Sequence, residues 1–284
     1  MPELPEVETV RRTLRPKLVG HTLTGVEVFW PKAVRYPGLE AFREGIKGRR
    51  IEDVRREGKH LILTLSGDRF LVVHLRMTGQ LLYRDAGELP DRYTTVLFQL
   101  DRDKALHFRD VRKFGVLHLV CAHEWDQVGS LRGLGREPLA EEFTPEYLAG
   151  VLAGGKGPLK TRLLDQTKIA GLGNIYVDEA LHRAGLHPTR PAGSLTPGEV
   201  SRLHAAIQAV IAEGIAHRGT SVRDYVDGDG RAGQFQERLR VYRRTGQACL
   251  RCGTPIRRMV VAGRGTFYCP VCQGETGTGQ RDPE

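Results

Sequence analysis

The sequence contains no run of about 18 consecutive apolar residues, so nothing in it reads as a membrane-spanning helix. Its first twenty residues carry Glu3, Glu6 and Glu8 and lack an apolar stretch, which argues against a secretory signal and for a cytoplasmic protein. No internal repeat is visible. Acidic residues almost vanish from one region: between Arg231 and Tyr268 there are nine arginines and a single acid, Glu237. The whole chain carries 43 Lys+Arg against 34 Asp+Glu, a net charge of +9. A merely solvated surface mixes both signs. A one-signed stretch suits a polyanion, because each arginine can neutralise a phosphate and release a counterion. Nucleic acid is the expected partner.

The 284 residues are 40% hydrophobic, enough for ordinary cores in one large domain or two to three small ones. Leu4, Val7, Val10, Leu14 and Leu18 recur at spacings of three and four and predict a helix over 4–18, with Pro5 in its first turn and Gly20 past its end. From Thr22 to Val120 short β-type runs such as "HLILTLS", "RFLVVHLRM", "TTVLFQL" and "ALHFRDV" alternate with Gly and Asp turns, which predicts a two-sheet sandwich or barrel. "GSLRGLGREP" reads as a linker. Helical signals follow, with Thr144 as an N-cap and Thr196-Pro197-Gly198-Glu199 as a capping box. Between them "LLDQTKIAGLGNIYVDEALHRAGLHP" predicts helix, glycine-rich turn and second helix, stopped by Gly185 and Pro188.

Cysteine is scarce, and four of the five are paired by spacing. Cys249-x2-Cys252, then sixteen residues, then Cys269-x2-Cys272 matches a four-cysteine zinc site. Disulfides are disfavoured in a reducing cytoplasm. With four thiolates the site is closed, so one Zn2+ is expected to hold a hairpin and not to catalyse. Cys121, alone after an apolar strand, reads as core packing.

An arginine-rich zinc ribbon behind a helix-turn-helix would also suit a non-enzymatic regulator. "PELPEVETV", "EGKHLIL", "HLRMTGQL", "DVRKFG", "LLDQTKIAGLGNIYVDEALHRAGLHP" and "VVAGRGTFYCPVCQ", in that order, carry more. Together they resemble bacterial formamidopyrimidine-DNA glycosylases, from Pro2 to about Gln273. The resemblance implies an α+β multidomain fold: an N-terminal helix plus two-sheet β-sandwich over 1–128 and a linker over 129–138. A helix-two-turn-helix domain over 139–225, a lesion-recognition loop over 226–238, a zinc finger over 239–273 and a disordered tail over 274–284 complete it. It implies a monomeric, bifunctional glycosylase and abasic-site lyase of base-excision repair, acting on damaged double-stranded DNA near the nucleoid. Oxidised purines are the implied substrates, with an endonuclease VIII-type enzyme for oxidised pyrimidines as the alternative.

The resemblance also assigns residues. After loss of Met1, Pro2 becomes a secondary amine that attacks C1′ of the damaged nucleoside. Such an amine has a pKa near about 8, against roughly 10.4 for lysine, so far more of it is unprotonated at neutral pH. Glu3 is the implied proton donor, with Glu6 orienting the site. Lys59 serves β-elimination, and Arg264 in "GRGT" serves δ-elimination. Arginine is a poor proton donor, so a phosphate clamp suits it better. Met77, Arg112 and Phe114 match residues that fill the gap left by a flipped nucleotide. His74, Lys156, Lys160, Asn174 and Tyr242 are implied DNA contacts, as is Tyr93, which stands where the family often has histidine.

Overall fold

Leu4, Val7, Val10, Leu14 and Leu18 are all buried, and helix α1 (Leu4–Leu18) forms over the span that their spacing predicts. The computed structural model describes residues 1–274. The chain folds as two compact units. One comprises Met1–Gly133 with Gly214–Gln236; the other comprises Leu134–Glu213 with the described residues from Glu237 onward. Of the expected tail, 274–284, all but Gly274 lies outside the described residues.

In the first unit α1 is followed by β1 (Thr22–Val28), β2 (Val34–Tyr36), α2 (Leu39–Ile46), β3 (Arg49–Glu57) and β4 (His60–Leu65). Then come β5 (Arg69–His74), β6 (Gly79–Asp85), β7 (Thr94–Leu100), β8 (Lys104–Asp110) and β9 (Val116–Cys121). Their order is β2-β9-β5-β4-β3-β1-β7-β8-β6, antiparallel throughout except β2 with β9. The two expected sheets are thus halves of one ladder, joined where β1 meets β3 through only Thr22↔Arg50 and Leu23↔Arg49. Val7, Val10 and Leu14 share one core with Leu61, Leu63 and Val73 of one half and Val96, Phe98 and Phe108 of the other. Helix α2 interrupts a span read as β; it forms because Phe42 and Ile46, four apart, both reach that core.

The second segment of this unit, 214–236, returns to α1. Gly228 N–H donates to Thr13 Oγ1 at 3.0 Å, and Lys17 pairs with Asp229. Asp227 accepts from the backbone N–H groups of Asp229 (2.9 Å) and Arg231 (3.0 Å) and pairs with Arg218, folding "VDGDGR" into a tight loop. The expected boundary at 225/226 falls inside this segment.

In the second unit, α3 (Pro145–Leu152) begins where Thr144 Oγ1 accepts from Tyr147 N–H at 3.1 Å. Helix α4 (Leu159–Leu163) is shorter than the "LLDQTK" pattern predicts. Asp165 accepts from its own neighbour Thr167, and Gln166 Nε2 donates to the carbonyls of Leu164 and Leu172. These local bonds replace the helical ladder. Helix α5 (Asn174–Ala184) ends at Gly185, whose φ of 70° only glycine takes without cost. Helix α6 (Pro197–Ala216) starts from the expected capping box, Thr196 N–H donating to Glu199 Oε2 at 2.8 Å. Strands β10 (Arg257–Val261) and β11 (Arg264–Tyr268) form the C-terminal hairpin.

Candidate active site and metal centre

Pro2 is buried at the start of α1, with Glu3 as the N-cap. Glu6 back-bonds to the Glu3 N–H at 2.8 Å through Oε2, while its Oε1 accepts from Thr220 N–H at 2.7 Å. Glu6 therefore does perform the helix-capping job, and the same carboxylate fixes the backbone on which Pro2 sits. Gly219 makes this approach possible. A Cβ there would stand 2.9 Å from the Glu6 side chain, at a φ of +77° that disfavours any other residue.

Lys59 lies in the β3–β4 turn and is buried. Two residues that the sequence did not flag connect that turn to α1. Arg56 donates to Gly58 O at 3.0 Å and to Glu8 at 3.2 Å. Burial alone would raise the Glu8 carboxyl, but hydrogen bonds from Arg11 and Arg12 outweigh it and hold the pKa at about 2. Next in the chain His60 and His74 meet edge to face at 4.5 Å. Burial pushes His60 down to about 4, helped by the charge of Arg76, and His74 to about 2, helped by His60 and then Arg76, so both imidazoles are neutral at pH 7. His74 Nδ1 accepts from Arg76 N–H at 3.0 Å.

A cavity of about 760 Å³ opens beside the N-terminus. Met1, Met77 and Phe114 line it together with the cations Arg35, Arg76 and Lys113. By composition Met77 and Phe114 would pass for core residues. They are instead 42% and 49% exposed, an uncommon state for large apolar groups unless something covers them. Arg112 joins them: its guanidinium lies 4.7 Å from the Phe114 ring centroid and 3.0 Å from Met77 Sδ. Asp110, buried and unremarked in the sequence, holds the two loops together. It accepts from Thr78 on one loop and from Arg112 N–H (3.2 Å) and Gly115 N–H (2.6 Å) on the other. Arg76 and Lys113, the neighbours of Met77 and Phe114 in the chain, sit at φ of 53° and 56°, a conformation rare outside glycine. Two guanidinium groups pack on the Tyr93 ring, Arg92 at 4.7 Å and Arg109 at 4.8 Å from its centroid.

In the second unit the four thiols converge. Cys249 and Cys272 Sγ are 3.8 Å apart, Cys252 and Cys269 3.4 Å, and all four lie within 4.8 Å of one another. Tetrahedral zinc with Zn–S bonds of about 2.3 Å needs S···S separations near about 3.8 Å, so the donor set fits one structural Zn2+. Two carboxylates of α5 seat the C-terminal ribbon, Glu179 its entry at 240–242 and Asp178 its hairpin. Glu179 accepts from the N–H groups of Arg240, Val241 and Tyr242 at 2.8–3.0 Å, and Asp178 accepts from Phe267 N–H at 3.0 Å. Asn174 Nδ2 donates to Gly265 O at 3.0 Å, beside Arg264. Arg264 and Lys156 are exposed, whereas the Tyr242 ring packs on Phe267 at 5.0 Å.

Lys160 overturns its expected role. It is fully buried, pairs with Asp178 at 2.7 Å, and donates to Thr266 Oγ1 at 2.9 Å and Gly265 O at 3.2 Å. An ammonium has three protons to give, and all three of these acceptors lie within hydrogen-bond distance. It straps β11 to α4 and α5 and is not a phosphate contact.

Comparison with known proteins agrees with this architecture. Residues 1–117 match the formamidopyrimidine-DNA glycosylase N-terminal domain, 134–226 the H2TH domain of that enzyme, and 246–274 the zinc finger found in FPG and IleRS. The chain is 52% identical to the formamidopyrimidine-DNA glycosylase of Pelotomaculum thermopropionicum, over 96% of this chain and 99% of that one. It superposes on MutM (FPG) of Thermus thermophilus with a TM-score of 0.88 at 44% identity, covering 97% of this chain and 100% of that one. A Lactococcus lactis FPG variant, solved with DNA containing Fapy-dG, gives 0.90 at 36% identity, covering 96% and 100%.

Proposed function

The chain belongs to the formamidopyrimidine-DNA glycosylase family, and from that premise we propose that Pro2 is the nucleophile of a bifunctional glycosylase and abasic-site lyase. The protein is a DNA glycosylase of base-excision repair. It acts as a monomer on damaged duplex DNA in the cytoplasm, at the nucleoid, and oxidised purines are its substrates. Among the described residues no helix is long and apolar enough to cross a membrane. The observation that carries the reading is the cavity beside the N-terminus, lined by the cations Arg35, Arg76 and Lys113 and by exposed Met77 and Phe114.

Loss of Met1, which lines that cavity, leaves the Pro2 nitrogen as the first atom of the chain. Met77 and Phe114 fill the stack vacated by the flipped nucleotide, and Arg112 between them faces the orphaned base. The Pro2 amine attacks C1′, the damaged base departs, and an iminium forms on the sugar as Glu3 protonates the ring oxygen. The iminium acidifies the C2′ proton. β-Elimination of the 3′ phosphate follows with Lys59 assisting, then δ-elimination of the 5′ phosphate with Arg264 stabilising the leaving charge. His74, Asn174, Lys156, Tyr93 and Tyr242 serve backbone contacts, and 226–238 covers the extruded base. The zinc hairpin holds the strand that starts at Arg264.

Borohydride trapping on duplexes carrying 8-oxoguanine or thymine glycol tests nucleophile and substrate together. We expect a covalent adduct with the 8-oxoguanine duplex, mapped to Pro2 by peptide mass spectrometry and absent when any residue precedes Pro2. Glu3→Gln is expected to bind DNA yet excise the base roughly 10²–10⁴-fold more slowly, the range typical of general acid–base catalysis. An adduct on Lys59 with Pro2 free would sink the mechanism. Stronger trapping on thymine glycol would favour the pyrimidine-directed alternative.

A further inference from the structure

Cys121, expected as core, is only half-buried at the end of β9 and belongs to a cluster of its own. The chain turns back immediately after it, Glu124 N–H donating to Cys121 O at 2.9 Å. That turn brings three donors of different chemistry together. Cys121 Sγ is 3.4 and 3.5 Å from the two ring nitrogens of His123 and 2.9 Å from Glu124 Oε2. One ligand atom from each lies within 4.8 Å of the others. Donors sharing a tetrahedral zinc with bonds of about 2.0–2.3 Å are spaced by about 3.3–3.8 Å, so the thiol–imidazole distance is within reach, and a turn of the exposed His123 ring from its position against the sulfur aims one nitrogen at a shared ion. The shorter sulfur–oxygen contact is a thiol hydrogen bond, which opens once the proton leaves.

The carboxylate is prepared for the part. Tyr36 Oη donates to Glu124 Oε1 at 2.6 Å and Cys121 N–H donates to Oε2 at 2.9 Å, which orients the group and holds Oε2 beside the sulfur. Arg69, paired with Cys121 across the sheet, reaches Oε2 at 3.9 Å; its half-exposed side chain can swing to solvent. His123 is exposed, so the cluster is open to ions from outside. We propose that Cys121, His123 and Glu124 form a second, solvent-accessible site for a borderline divalent metal of the zinc or cobalt class. The mixed sulfur, nitrogen and oxygen set selects such an ion over magnesium or calcium, and solvent completes the fourth position. Binding exchanges the S–H···O hydrogen bond for metal–sulfur and metal–oxygen bonds and releases the thiol proton. This site is distinct from the four-cysteine centre, with which it shares no ligand.

The test uses the full chain with its ribbon zinc in place. Protein incubated with zinc and desalted is counted by native mass spectrometry, and a parallel sample takes up Co2+ and is read by absorption. The expected result is two metal ions per wild-type chain and one in both Cys121→Ser and His123→Ala. The one cobalt taken up beside the ribbon zinc should show thiolate-to-cobalt charge transfer, and zinc should protect Cys121 from alkylation. The exposed His123→Ala decides the matter if Cys121→Ser folds poorly. A wild-type chain holding one metal, or a second metal retained in either variant, would overturn the assignment.

Discussion

Which residues could be recognised from the sequence depends on whether their chemistry is local. The four zinc cysteines were legible because their meaning lies in their spacing along the chain. Asp110 was not: its partners sit on two loops separated by more than thirty residues, and nothing near it marks it out. Lys160 was misread for the complementary reason. Its assignment as a DNA contact came with the family resemblance, which says nothing of its burial against Asp178. The His60–His74 pair is equally silent in sequence and has a measurable consequence. Burial holds both imidazoles neutral when folded, with His60 at about 4 against 6.5 for an ordinary histidine. Below pH 6.5 the unfolded chain therefore takes up protons that the folded chain refuses. Stability from this source is complete above 6.5 and declines as the pH falls toward about 4, by up to about 1.4 kcal/mol per pH unit for each histidine. His60→Gln should remove one proton's share of that slope. Urea midpoints measured between pH 7 and 4.5 check it, and parallel slopes for the two proteins would refute it.

Elements were read best where one face repeats and a cap marks the end, as in α1 and α6. They were read worst where side chains divert the backbone, as after α4. The hairpin β10–β11 illustrates why an element can depend on groups outside itself. Its own core is little more than Val241, Ile256, Phe267 and two cysteines. Lys160 and Asn174, which donate to residues 265 and 266, and Asp178, which accepts from Phe267 N–H, supply what that core lacks. Lys160→Met would strand the Asp178 carboxylate in the interior, and breaking a buried pair in this way costs about 3–5 kcal/mol. We expect amide exchange at Phe267 to accelerate accordingly, and Lys160→Met with Asp178→Asn to recover part of the loss. Were Lys160 a phosphate contact, the single substitution would leave exchange unchanged and reduce only the salt dependence of DNA binding.

At the scale of the whole molecule, the sequence's poverty in tryptophan becomes useful. Both tryptophans, Trp30 and Trp125, lie in the unit that contains Pro2, and each packs there, Trp30 against the main core and Trp125 on Phe70 at 5.0 Å. Tryptophan emission therefore reports that unit alone. The other unit holds all four zinc ligands and eight of the nine arginines of the basic stretch, Arg231 being the exception. A ribbon with so small a core folds only while its metal is bound. Chelating the zinc, or substituting Cys249→Ser, should accordingly separate two properties that normally travel together. Tryptophan emission and its urea midpoint should stay at wild-type values, because the nine-stranded sheet and α1 owe nothing to the thiolates. DNA binding and incision should be lost, since Arg264 and its arginine neighbours no longer have a fixed strand to occupy. Undiminished incision by zinc-free protein would remove the ribbon from the mechanism. A tryptophan transition that tracks zinc release would show that the first unit cannot hold its fold without the second.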